Sequence, residues 1–218
     1  VINNIKVNME NPVLILGAGD LGMQALDIFR RNQVLVYGFL DDKKELEGKE
    51  FGDVSVLGTT DNTGYTGIIG SKCQAFIAMG ERSVRERMVE TLVEENKVMP
   101  VNAIHDTAVI SDMASIGHGN LVAARTVISA NAKVGSHNII QTGAIVDTSV
   151  TIGDFVTIGA GAIINDRVTI HNGAFIGSGV VVVAGVEIGK NARIGAGSVV
   201  VSSVPAKSTY FGNPAQKV

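Results

Sequence analysis

From Ile104 to Val200 an Ile or Val recurs at every sixth residue without a miss, through Ile110, Ile116, Val122, Ile128, Val134, Ile140 and onward to Ile188 and Ile194, giving seventeen hexads in one register. Four residues after each stands a small or β-branched residue, among them Ala108, Ala132, Ala144, Val156, Ala174 and Ala192, with Asn at 120 and 138. Gly often follows the Ile or Val directly, as at Gly117, Gly135, Gly153, Gly159, Gly177, Gly189 and Gly195. A period of six fits neither a helical face nor the alternation of an ordinary strand. It fits a chain that makes a short strand and then a corner in every hexad. Three hexads close a triangular coil, so equivalent positions return every eighteen residues. The branched residue points into the prism and stacks on its neighbours above and below, while the small residue lets the chain turn. Rungs ~4.8 Å apart give a prism roughly 25 Å long. The second half of the chain is therefore read as a parallel β-helix over 104–205, with 206–218 as a tail that leaves the prism after Pro205 and folds along it.

Composition narrows the remaining possibilities. Among 218 residues, 45% are hydrophobic and 18% charged, which suits a packed protein. A formal net charge of −3 gives no reason to expect nucleic acid or an anionic membrane surface as partner. The single cysteine, Cys73, excludes an internal disulfide and fits a reducing compartment; a small buried residue is its expected state, a reactive thiol the alternative. No apolar run is long enough to span a membrane. Residues 1–10 are polar and Asn-rich, unlike a signal peptide, and Met9 could be the start, so they are read as a leader. A cytoplasmic, soluble protein is expected.

Residues 11–103 read as alternating strands and helices. Val13-Leu14-Ile15-Leu16 is a strand, and Met23, Leu26, Ile28 and Phe29 give the apolar face of a helix. Further strands are expected at 34–40, near 54–57 and at 75–79, with a last helix over about 81–96. That alternation implies a small parallel sheet of Rossmann-like βαβ type. Gly17-x-Gly19-x-x-Gly22 falls where the first strand hands over to the first helix. Glycines there allow a tight turn and let a phosphate approach backbone N–H groups. Asp41 and Asp42 end the second strand, where an acidic residue meets a ribose hydroxyl. The unit is only about half a dinucleotide fold, so a nucleotide-sugar fits better than NAD; a tight turn with no ligand is the plainer alternative. Arg82 and Arg85 open the last helix, either as surface charges, the favoured reading, or facing a substrate phosphate. Glu81 and Arg85 read as surface charges on that helix.

The hexads resemble those of left-handed β-helix acyltransferases, whose coils depart from the usual right-handed crossover. With the βαβ unit the resemblance sharpens to the sialic acid O-acetyltransferase and bacillosamine-type amino-sugar N-acetyltransferase family. It rests on Leu16-Gly17-Ala18-Gly19, Tyr37-Gly38-Phe39-Leu40-Asp41-Asp42, Ile77-Ala78-Met79-Gly80, Ile140-Gln141-Thr142-Gly143-Ala144, Ile152-Gly153-Asp154-Phe155 and Phe211-Gly212-Asn213-Pro214-Ala215. It implies a homotrimer that moves an acetyl group from acetyl-CoA to an amino or hydroxyl group of a nucleotide-activated sugar in surface-glycan biosynthesis. The implied sugar contacts are Gly17, Gly19, Gly22, Asp41, Asp42, Gly80 and Arg82. The implied CoA groove, between neighbouring prisms, is lined by Gly161, Gly177, Gly179, Gly195 and Ala196, with Gly212 and Asn213 from the tail.

The chain departs from the family pattern where the chemistry should sit. The family's general base is a His in a segment reading Asp-His-Asp/Glu-Cys before Ile-Gly-Asp; here Thr148 takes the His position and Val150 the Cys position. A second His of the family is Thr157 here, and an Asn is Gln141. Threonine is no base at neutral pH, and losing a general base costs ~10²–10⁴ in rate. An amine acceptor suffers less than a hydroxyl, which favours N-acylation. His137 and Asp147 are the candidate substitutes, with Thr148 marking the site; an impaired relative that binds without efficient turnover is the competing expectation. His118, His137 and His171 lie in hexads of one phase, nineteen and thirty-four residues apart, a spacing that does not suit a trimer-interface zinc site, so no metal is expected.

Overall fold

The computed structural model describes residues 11–218; the leader expected over 1–10, with Met9, lies outside them. Backbone contacts divide the chain into two units, with the break between Ala103 and Ile104.

The first unit is an α/β sheet. Its elements are β1 (Val13–Leu16), α1 (Asp20–Arg31), β2 (Val36–Leu40), β3 (Glu50–Phe51), β4 (Val54–Gly58), the one-turn helix α2 (Thr63–Thr66), β5 (Gln74–Ile77) and α3 (Arg82–Thr91). The strand order is β3-β4-β2-β1-β5, parallel except for the β3–β4 hairpin. All four residues of β1 are buried, as an apolar run in the middle of a parallel sheet must be. α1 buries Ala25, Leu26, Ile28 and Phe29, and the Phe29 ring meets Phe76 of β5 edge-on at 5.7 Å. β3 and α2 carry too few apolar residues to have been visible as periodicity. α3 runs into a π turn over Leu92–Asn96 and stops at Lys97, whose φ of 56° is left-handed. Cys73 is buried, and burial pushes its thiol pKa up.

The second unit is a left-handed β-helix. Seventeen two-residue strands, Ala103–Ile104 through Val199–Val200, stack in parallel on three faces. Face I begins with Ala103–Ile104, face II with Val109–Ile110 and face III with Ser115–Ile116, and each rung pairs with the one eighteen residues on. The second residue of each strand is the hexad Ile or Val, and from Val122 onward every one of them is buried.

The corner lies one residue earlier than the sequence suggested. From Gly119 to Gly197 every sixth residue has φ between +57° and +73°, fourteen in succession, seven of them not glycine: Arg125, Asn131, His137, Ser149, Phe155, Arg167 and Asn191. The small residue that follows is not the hinge. Its side chain fills the apex of the triangle, and Ala132, Ala144, Val156 and Ala162 are fully buried there. A left-handed residue turns the chain and the next side chain is delivered into the narrowest part of the prism, so it must be compact. The glycines that directly follow the Ile or Val have another cause: a Cβ on Gly135 would stand 2.7 Å from the Gly153 carbonyl oxygen of the next coil.

Nor does the tail leave the prism at Pro205. Thr209–Phe211 adds a further rung to face I, parallel to Arg193–Ile194, and Gln216–Lys217 folds back antiparallel on it. The pairings Ile188–Val204 and Arg193–Thr209 step by sixteen residues rather than eighteen. The last coil is thus two residues short, and the hexad count hid its continuation.

Candidate functional site

In the α/β unit the chain leaves β1 towards β2 and later returns to β5 on the opposite side. The strand order reverses between β1 and β5, and open α/β sheets bind ligands in the crevice at that point. The glycine turn after β1 and the Ala78-Met79-Gly80 turn after β5 flank it. Gly17 has a φ of +111°, and a Cβ there would lie 2.8 Å from the Ala78 carbonyl oxygen, so only glycine lets the two turns touch. A Cβ on Gly22 would collide with the Gly17 carbonyl oxygen, which seats α1 on the turn. Gly19 begins α1 with no side-chain cap, and the space where its Cβ would stand is open, as it is at Gly80. This is a helix start whose N–H groups can receive an anion.

The two acidic residues are engaged within the protein. Asp41 Oδ2 accepts the Ala18 N–H at 2.8 Å and its Oδ1 the Lys43 N–H at 3.0 Å, tying the glycine turn to the end of β2. Asp42 Oδ1 accepts both the N–H and the hydroxyl of Thr60 at 2.8 Å. A carboxylate has about four acceptor positions, so both retain capacity for a further donor. Arg82 is partly exposed, 3.5 Å from Glu86 across one helical turn. Arg85 is not the surface charge its sequence suggested: it is 2% exposed. The signal was its spacing, since Arg85, Val89 and Leu92 share one buried helical face. Arg85 Nη1 donates to the Met79 carbonyl at 2.7 Å and the Gly80 carbonyl at 3.2 Å. Burial pushes its pKa down to about 10, so it stays charged at neutral pH. Glu81, also read as a surface charge, caps α3 instead, accepting the Ser83 and Val84 N–H groups at 3.1 and 2.9 Å. Its hydrogen bonds from Ser83 hold the carboxyl below its ordinary range.

On the prism the expected residues fall on three different edges. The edge between faces I and II is almost bare backbone: Gly159, Gly161, Gly177, Gly179, Gly195 and Gly197 line it over three successive coils, with only Ala160, Ser178 and Ala196 between them. No atom lies within 4 Å of where a Cβ on Gly161 or Gly179 would be. Gly212 joins this edge by donating its N–H to Ser198 Oγ at 3.0 Å, and Asn213 next to it is exposed. Gly197 and Gly159 belong to the same edge, and their eighteen-residue spacing from Gly179 and Gly177 is the sequence signal that places them there. Asp147 and Thr148 stand on the edge between faces II and III, where Asp147 Oδ1 accepts the Thr148 N–H at 2.6 Å and Thr148 is exposed. Thr157 faces outward from face I. His137 is on the third edge, 6% exposed and stacked on Phe155 with ring centroids 4.9 Å apart. One chain therefore does not bring His137 to Thr148. His171 Nε2 lies 2.6 Å from Glu187 Oε1 on face III, and His105 Nδ1 2.9 Å from the Asp106 carboxylate.

Known proteins share both units. Residues 12–92 match the PglD N-terminal domain model, and residues 149–182 and 167–202 match the bacterial transferase hexapeptide (six repeats) model. WeeI from Acinetobacter baumannii AYE is 30% identical, with 95% of this chain and 99% of that one aligned at a TM-score of 0.85. The chain belongs to the sialic acid O-acetyltransferase and bacillosamine-type N-acetyltransferase family of hexapeptide-repeat sugar acyltransferases. Within it, a His-to-Asn mutant of perosamine N-acetyltransferase from Caulobacter crescentus, in complex with CoA and GDP-perosamine, is 28% identical over 95% of this chain and 97% of that one, with a TM-score of 0.87. The acetyltransferase domain of PglB from Neisseria gonorrhoeae FA1090, in complex with acetyl coenzyme A, is 26% identical over 96% and 100%, with a TM-score of 0.88. No curated protein matches the chain. Among the described residues no helix is long and apolar enough to cross a membrane.

Proposed function

We propose that this chain transfers an acetyl group from acetyl-CoA to an amino group of a nucleotide-activated sugar. The observation that carries the proposal is that each unit offers a surface suited to one of the two substrates: the first a switch-point crevice with open glycines at 19 and 80, the second a prism edge stripped to backbone over three coils. The crevice suits a diphosphate, and the bare edge suits a long donor lying against it. Relatives of the same fold hold CoA, acetyl-CoA and GDP-perosamine. In this reading Gly17, Gly19, Gly22 and Gly80 approach the nucleotide-sugar, with Asp41 positioning the turn and Asp42 and Arg82 at its rim. Gly161, Gly177, Gly179, Gly195, Ala196, Gly212 and Asn213 line the donor groove.

The working unit is a homotrimer. Outward residues of face II are apolar on every rung, Val109, Val127, Ile145, Ile163, Val181 and Val199, whereas face III presents Ser115, Lys133, Thr151, Thr169 and Glu187. Val109 is 63% and Ile145 36% exposed in the single chain. A cyclic assembly that buries face II sets the Thr148 edge of one copy beside the bare edge of the next. The acceptor amine, in its unprotonated form, attacks the thioester carbonyl there; the C–N bond forms, the C–S bond breaks, and CoA leaves as the thiol. Asp147 takes the amine's proton and returns it to the departing sulfur, a role the Thr148 hydroxyl cannot fill.

Thr148 favours a second reading, a relative that binds both ligands but turns over slowly. Release of free CoA thiol from acetyl-CoA with UDP-, GDP- and dTDP-linked amino sugars separates the two. Activity with one of them supports the transferase; binding of both ligands without thiol release supports the impaired relative. Thr148→His should raise kcat about 10²- to 10⁴-fold if a missing base is the limit. An unchanged kcat would mean that another group already serves.

A further inference from the structure

The two lips of the crevice are held by different means. Asp41 pins the glycine turn from the β2 side. The lip after β5 is pinned from beneath, by a buried arginine whose one nitrogen, Nη1, takes the carbonyls of both Met79 and Gly80. In a trans peptide the N–H points opposite to the C=O of the same unit. Drawing the Met79 and Gly80 carbonyls down onto Arg85 therefore turns the N–H groups of Gly80 and Glu81 the other way. Both residues are exposed, no protein acceptor among the described residues takes either N–H, and the Cβ position of Gly80 is open. Burying a guanidinium is costly and is tolerated where its donors are used. Here it sets the orientation of two successive peptide units at the edge of a ligand crevice, and Gly17 contacts the same turn through Ala78.

We propose that Arg85 is a positioning residue for the nucleotide-sugar: by holding the Met79 and Gly80 carbonyls inward it presents the Gly80 and Glu81 amides to the diphosphate. The inference rests on the nucleotide-sugar reading of the crevice. Arg85 touches no substrate atom. Its charge lies behind the turn, and the amides make the contact.

The test uses the full chain and calorimetric titration with UDP, GDP and dTDP, each paired with its nucleoside. Arg85→Gln should weaken the best-bound nucleoside diphosphate about ten- to hundredfold, the loss expected when hydrogen bonds to a charged group are misaligned. The corresponding nucleoside should lose less than threefold, and CoA binding should not change. A purely structural role would instead lower the melting temperature and all three affinities together. Gly80→Ala adds a methyl group in open space at an unstrained backbone position, so it tests the same lip without removing a buried group. It should also weaken the diphosphate selectively. In assays of turnover both variants should raise KM for the sugar nucleotide more than they lower kcat. If the unmodified chain binds none of the nucleotides, the substrate reading falls and this inference with it. If it binds one and both variants bind it equally well, the inference alone is overturned.

Discussion

Glycines in this chain are required for two separable reasons. Gly185 sits at a left-handed corner, φ +73°, with no atom within 4 Å of a Cβ position. Gly159 has an ordinary φ, but a Cβ there would press into the Gly177–Ser178 backbone of the next coil. Gly185→Ala should cost about 1 kcal/mol, the backbone penalty alone. Gly159→Ala should cost more, about 1–3 kcal/mol, because the neighbouring coil must move. Urea unfolding of the two variants measures the difference, and equal losses would refute the distinction. The left-handed Arg167, exposed and paired with Asp166, offers the converse: Arg167→Gly should be neutral or stabilising by up to ~1 kcal/mol. Cys73 is a further case. Its buried thiol with a raised pKa should react with a maleimide only as the first unit unfolds, so at fixed pH the labelling rate should rise with denaturant concentration.

Within the β-helix the rungs are not stabilised by apolar stacking alone. Asn120 and Asn138, eighteen residues apart, occupy apex positions that elsewhere hold mostly Ala or Val, with Thr126 and Ser198 the other polar ones, and are 0% and 1% exposed. Asn120 Oδ1 accepts the Asn138 N–H at 2.8 Å, and Asn138 Oδ1 accepts the Val156 N–H at 2.6 Å. On the edge outside this apex, Asp154 Oδ1 accepts the Ser136 N–H at 2.7 Å and Asn172 Oδ1 the Asp154 N–H at 3.1 Å. Side chains here bond backbone donors at the corner, where the strand ladder is interrupted. Asn138→Ala leaves the Val156 N–H buried without its acceptor and should cost about 1–3 kcal/mol in equilibrium unfolding. A loss below a few tenths of a kcal/mol would show that the ladder is dispensable.

At the scale of the whole molecule, the three faces differ in what they offer. Face II is the apolar one, and a contiguous apolar stripe on a monomer marks a contact surface. Ile145→Asp, at an outward position in the middle of that face, should convert the proposed trimer to monomer in light scattering while leaving the far-ultraviolet circular dichroism unchanged. If the assembly survives, face II is not the interface. Loss of the trimer should also abolish thiol release, because the Thr148 edge and the bare glycine edge border opposite sides of face II and, in the proposed assembly, meet only between copies.

Much of the fold could be read directly, because the hexad period and the strand–helix alternation are one-dimensional signals of how each segment buries its apolar side. The period located every rung from Ile104 to Val200, and the glycine spacing located the turn between β1 and α1. Contacts that pair residues without a period were not visible: Arg85 beneath the Met79–Gly80 turn, Asp41 on the Ala18 N–H, and the two-residue shortening that adds Thr209–Phe211 as another rung. The candidate donor-groove glycines named from the resemblance lie on one edge, since an eighteen-residue spacing is already a statement about space. It could not place Thr148, Thr157 and His137, which differ in phase and so fall on an edge, a face and a third edge. Sequence by itself determined the rungs and the turns, because burial and backbone sterics act within a few residues. Only the tertiary structure decided which side chains stand behind the switch-point crevice and which edges border face II, because those relations depend on how the sheet packs against its helices and how the coils close.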